Sequence, residues 1–156
     1  MSDLGKCYKA LAVPGEEQAL EERIKNAKPL HNTLTIPFAW NPKFFSREKE
    51  LAEVDDFFKK QNSSDKVPAV VIWGDEGVGK THLALEYAWR KAPNYDFVLW
   101  VSAKSELSIQ QSLSYAATKA LGLTDADPIL NNMLNAVLVM KWLETTGIVV
   151  LVLLCL

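Results

Sequence analysis

The sequence predicts an α/β protein built on a parallel sheet, and three observations carry that expectation. Short runs of β-branched and apolar residues recur at 68–73, 97–101 and 148–156, the pattern of strands buried on both faces. Stretches with helical spacing of apolar residues lie between them, and strands that alternate with helices imply parallel pairing. A glycine-rich segment, GDEGVGKT from Gly74 to Thr81, joins the first strand to the helix after it. At 156 residues the chain is about one domain long, with roughly 150 residues per domain as the yardstick.

Residues 1–43 read as a leader and connector, partly disordered. Glu16 to Ala27 has the spacing of a short helix, with Leu20 and Ile24 on one side. Two apolar positions bury little, so a solvated segment is expected. Pro29, Pro37 and Pro42 then punctuate an extended connector, because proline disfavours helix in the residue before it. The domain proper is expected at 44–156. Ser46 is placed as N-cap of a helix running to Lys60, with Leu51, Val54, Phe57 and Phe58 as its apolar stripe. Gln61 to Lys66 is a polar loop. Pro68 to Trp73 is the first strand, the next helix continues to Pro93, and Phe97 to Val101 is the second strand. From Ser108 to Leu121 a helix turns Ile109, Leu113, Ala116, Ala117 and Leu121 inward. Asp127 and Pro128 suit the N-cap and first turn of a further helix reaching Thr146. Gly147 ends it, and Ile148 to Leu156 is the third strand.

Composition excludes several classes. Apolar residues make up 49% and charged residues 23%, which is ordinary for a globular chain. A formal charge of −2 offers no electrostatic case for nucleic acid or for an anionic membrane. Cys7 and Cys155 are the only cysteines, which is neither a disulfide framework nor a zinc spacing. His31 and His82 have no ligand partners at metal-binding spacing. The longest apolar run, Ile148 to Leu156, falls well short of the roughly 20 residues of a membrane span. A soluble, cytoplasmic protein is expected.

Gly74 to Thr81 fits G-x-x-x-x-G-K-[ST], and each part has a physical reason. Glycines reach φ > 0, so several N–H groups can converge on one phosphate. The helix that follows adds the partial positive charge of its N-terminus at the same point. Gly74, Gly77, Val78, Gly79, Lys80, Thr81 and His82 are therefore the candidate phosphate-binding residues. Lys80 acts as a point charge for the β- and γ-phosphates, and the Thr81 hydroxyl is the candidate Mg²⁺ ligand. Asp75 and Glu76 cost little if they face solvent and weaken the site by like-charge repulsion if they face the phosphates.

From Asn41 to about Trp142 the chain resembles the NB-ARC (STAND-class) P-loop ATPases, the nucleotide switches of NOD-like receptors, with the fungal branch the nearest in pattern. NPKFFSREKEL at 41–51 is similar to the family's hydrophobic-Gly-Arg-Glu element, with Ser46 where glycine is usual and Arg47 and Glu48 matching. FVLWVSAKSELSIQQSLSYAATKALGL resembles the second strand and its helix, and KWLE at 141–144 the approach to the third strand. The resemblance implies a three-layer P-loop NTPase fold, incomplete here with about three strands. It implies ATP or ADP with Mg²⁺ as ligands, and it places Phe45 and Arg47 on the adenine side. Read alone, Arg47 is a solvated first-turn helix residue, and it is the family order that turns the reading to the adenine side.

Two departures matter. The family's third strand ends in an Asp, whereas Leu153 and Leu154 stand there, so hydrolysis is expected to be negligible. The family's strand order is 5-1-4-3-2, so a chain ending after the third strand leaves the first without neighbours. Either the third strand slides in beside the first, or the chain is association-prone through its uncharged end. The sequence thus suggests a truncated ATP/ADP-binding module of a signalling switch, whose partners are nucleotide and related NB-ARC proteins and neither nucleic acid nor membrane. The alternative is a non-catalytic interaction fragment or a non-functional truncated product. An active hydrolase or kinase ranks last.

Overall fold

A computed structural model describes residues 17–30, 34–60, 67–123 and 132–155. In chain order the elements are α1 (Glu17–Asn26), α2 (Glu48–Lys60), α3 (Lys80–Lys91), β1 (Phe97–Ser102), α4 (Glu106–Tyr115), α5 (Asn132–Thr145) and β2 (Val150–Cys155). The fold is α/β. Its described residues divide into two compact units, Phe38–Lys91 and the remainder before and after it.

The larger unit holds the sheet. β1 and β2 pair in parallel, from Phe97↔Val150 through Ser102↔Cys155. The third expected strand therefore lies beside the second, as the family order has it, and has not slid in beside the first. Every residue of β1 except Ser102 is buried. On its other edge Leu34 bridges Val98, and the Thr35 hydroxyl accepts from the Trp100 N–H at 2.9 Å. That contact satisfies a backbone donor that an open edge would leave to water.

α4 begins at Ser105, whose side chain accepts from the Ser108 N–H at 3.1 Å, an N-cap three residues before the expected start. The helix then widens to a π-helical turn over Ala116–Ala120, closed by the Leu121 N–H donating to the Ala116 carbonyl at 2.9 Å. Thr118 donates to the Ser114 carbonyl at 3.0 Å, the kind of back-bonding that competes with the helix ladder. Gly122, at φ 58, ends the helix. Leu113, Ala116, Ala117 and Leu121 are buried as expected, and Ile109 is packed against them.

α5 buries five consecutive residues, Asn135–Val139, so it is a core helix with no continuous polar face. Trp142, fully buried, meets the Phe97 ring edge-on at 5.6 Å. The expected helix start at Asp127 and Pro128 lies outside the described residues.

Two expectations need correction. A solvated leader does not describe α1: Ile24 is buried in the core with Leu20 and Ala27 packed beside it, and the Trp142 Nε1–H donates to the Ala27 carbonyl at 3.0 Å. The small apolar face suffices because α5 supplies the rest, since helix stability comes mainly from tertiary packing. Pro68 to Trp73 is not a strand. It is extended but carries no ladder, and Val71 and Trp73 are 81% and 88% exposed. No strand lies among the described residues of its own unit, so its backbone groups have no sheet partner.

Candidate functional site

The smaller unit brings together most of the residues expected at the phosphate site. Gly74, Gly77 and Gly79 take φ of 148°, 79° and 84°, values that side-chain-bearing residues adopt only at a cost. Glycine is thus required at three places in six residues, and the chain can wrap back on itself ahead of α3. The Gly79 carbonyl accepts the first helical bond, from the Leu83 N–H at 3.0 Å. Lys80, Thr81 and His82 form the first turn, where helix N–H groups lie beyond the reach of the helix's own carbonyls.

Charge placement along the helices is informative. α2 has Glu48 and Glu50 in its first turn and Lys59 and Lys60 in its last, the ordinary complement to a helix dipole. α3 has Arg90 and Lys91 in its last turn but no acid in its first. No carboxylate of its own first turn therefore offsets its positive end.

Lys80 is folded across the loop. Its Nζ donates to the Gly74 carbonyl at 3.0 Å and to the Asp75 carbonyl at 2.8 Å. An ammonium has three donors, and these two carbonyls fix the position of the Lys80 Nζ. Asp75 and Glu76 are exposed, and Lys80 engages the Asp75 backbone, not its carboxylate. The benign arrangement of the two acids is the one present.

Arg47 reaches the same loop. Its guanidinium donates to the Val78 carbonyl, and a Cβ on Gly79 would lie 3.8 Å from it. Phe45 stands apart at 80% exposure, and His82 is exposed. The expected N-cap is displaced by one: the Arg47 carbonyl accepts from the Leu51 N–H at 3.1 Å, while Ser46 sits outside the helix at φ 64. That left-handed conformation is one that glycine adopts without steric cost.

A network that sequence reasoning did not find lies behind Arg47. Arg90 forks onto both oxygens of Glu48 at 2.6 and 2.8 Å and donates from Nε to Glu86 at 2.7 Å. Glu86 is 4% exposed, and the Phe44 ring lies 5.8 Å from the guanidinium. Hydrogen bonding to Arg90 holds the Glu48 carboxyl below its usual range, and Glu48 and Glu86 together raise Arg90. The Glu86–Arg90 pair, four apart on a helix, was open to reading from spacing. The contact from Glu48 to Arg90, 42 residues apart, was not.

Known proteins decide the family. The AAA ATPase domain model matches residues 43–145, well over half of the chain. The chain belongs to the AAA ATPase domain family. Within it, the chain is a P-loop NTPase of the NB-ARC (STAND) type. A nucleotide-binding leucine-rich repeat (NLR)-like protein of the fungus Hyaloscypha variabilis is 39% identical over 72 residues, which cover 44% of this chain. The chain spans 7% of that protein's length. No solved structure matches.

Among the described residues no group of three His, Cys, Asp or Glu side chains comes together. Mg²⁺ takes one or two protein oxygens and completes its shell with phosphate and water, and Thr81 is the residue whose hydroxyl could serve as such an oxygen. No described helix is long and apolar enough to cross a membrane.

Proposed function

We propose that this AAA-family domain is an ATP/ADP-binding module of an NLR-type signalling switch and turns nucleotide over slowly or not at all. The observation that carries the reading is the loop geometry: three glycines at φ > 0, Lys80 pinned across the loop, and an acid-free helix start. Each feature suits a polyphosphate. The N–H groups from Gly77 to His82 would receive the phosphates, and Thr81 would hold Mg²⁺, which when bound neutralises phosphate charge. Arg47, lying on the loop, supports the adenine-side element, whereas Phe45 joins it only by turning from solvent.

Slow turnover is supported by the residue types that stand where the resemblance expects the hydrolytic machinery. Hydrolysis needs an acid to position water and metal and a cation for the developing charge. Where the resemblance expects that acid, the sequence has Leu153 and Leu154. Arg47 and Arg90 are both engaged in the fold. The test is Mg²⁺-dependent phosphate release by the full chain, with Thr81→Ala as control. The expected rate is at background in both. Turnover lost in Thr81→Ala contradicts slow turnover and reinstates an active hydrolase.

A second reading, association with another copy or a related domain, is favoured by one observation. Val67, Val71 and Trp73 are 92%, 81% and 88% exposed along an unpaired extended segment, and such segments template strand pairing.

A further inference from the structure

We propose that Arg90 is a positioning residue for the nucleotide site: by gripping Glu48 it sets Arg47 against the Val78 carbonyl and so holds the phosphate loop in its receptive shape. This rests on the reading that the loop binds nucleotide.

The chain of contacts is short and continuous. Glu86 is 4% exposed and sits one helical turn before Arg90, so its carboxylate fixes the Arg90 Nε. A fork onto one carboxylate fixes direction as well as distance, and Arg90 presents that fork to Glu48. Glu48 is the first residue of α2, and Arg47 precedes it directly. Ser46, at φ 64, turns the chain just before them, so the Arg47 backbone is bounded on one side by that turn and on the other by the held Glu48. Its guanidinium then reaches Val78 and Gly79, one residue before Lys80. The last turn of α3 is thereby connected to the loop at its first turn by way of α2.

Glu48 is 65% exposed, so the grip adds little to overall stability. Its effect is expected in geometry. Asp55 supplies the contrast: it also joins α2 to α3, through Lys91 at 2.7 Å, but lies well along the helix from Arg47.

The experiment titrates a fluorescent ADP analogue into the full chain and measures amide hydrogen exchange of the loop peptide without nucleotide. Glu48→Gln is the variant of choice, because Arg90 then remains to pair buried Glu86. The expected result is a Kd weakened about threefold to fivefold, the range an exposed ion pair supports, with faster exchange at residues 74–81 and unchanged exchange in β1. Arg90→Lys, which keeps the charge and loses the fork, should resemble Glu48→Gln. In an Arg47→Ala background Glu48→Gln should do nothing further, and Asp55→Asn should leave Kd unchanged. The proposal is overturned if Glu48→Gln leaves loop exchange at the wild-type rate, if its effect on Kd persists without Arg47, or if Asp55→Asn matches it. Absence of ADP binding by the wild type would remove the nucleotide reading, and exchange alone would then decide whether Arg90 shapes the loop.

Discussion

Ser46 occupies a backbone conformation, φ 64, that costs a side-chain-bearing residue roughly 1–2 kcal/mol. Ser46→Gly relieves that strain and loses part of the gain to the greater freedom of an unfolded glycine. We expect a net stabilisation of about 0.5–1 kcal/mol in chemical denaturation. A destabilised variant would mean that the serine hydroxyl makes a contact worth more than the strain. Gly79 is the converse case. A Cβ there meets only ordinary contacts, the nearest 3.8 Å away, so Gly79→Ala suffers from φ 84 alone. It should cost about 1–2 kcal/mol and weaken ADP binding more than Ser46→Gly changes it. At this scale the sequence was most readable, because a phosphate loop is local: Gly74 to Lys80 are contiguous and their torsional demands follow from residue type. Arg90 was hidden because its role depends on a contact across 42 residues, which no spacing rule reaches.

Between elements, α4 and α5 meet at a buried polar pair. The Asn135 Nδ2 donates to the Ser114 Oγ at 2.8 Å, both residues are fully buried, and the Asn135 Oδ1 has no partner. Removing the Ser114 hydroxyl takes this acceptor from the buried Asn135 Nδ2, at about 1–3 kcal/mol. Ser114→Ala should therefore destabilise by that amount, and adding Asn135→Leu should recover most of it. Additive losses would show that Asn135 contributes through packing instead. The ion pairs of α2 predict an acid dependence. Asp55 is held below its ordinary 3.8 by hydrogen bonds from Lys59 and Lys91, and Glu48 below its ordinary 4.5 by Arg90. A depressed carboxylate contributes stability above its ordinary pKa and loses it as pH falls through the lowered value. Stability should decline as pH drops below about 4, less steeply in Asp55→Asn, as followed by urea midpoints. β1, α4 and β2 were readable from periodicity. The packing of α1 was not, since Ile24 and Leu20 join a core whose other members, α5 among them, lie more than seventy residues downstream.

For the whole molecule, the same apolar run that reads as a strand, Pro68 to Trp73, is exposed for want of a neighbour. Strand pairing is non-local, so residue type signals readiness to pair and says nothing of whether a partner is present. The outer side of β2 is similar, with Val152 and Leu154 at 42% and 70% exposure. We expect concentration-dependent association in sedimentation velocity, reduced by Val71→Lys with Trp73→Lys. A monomer at high concentration would count against the association reading and leave nucleotide binding untouched.

That binding is the central claim, and one titration tests it: a fluorescent ADP analogue added to the full chain with Mg²⁺, beside Lys80→Ala. The arrangement of Lys80 over Gly74 and Asp75 predicts saturable binding that the variant loses while its far-ultraviolet circular dichroism stays as in the wild type. Equal affinity in the two proteins, or no binding by a wild type that unfolds cooperatively, would contradict it.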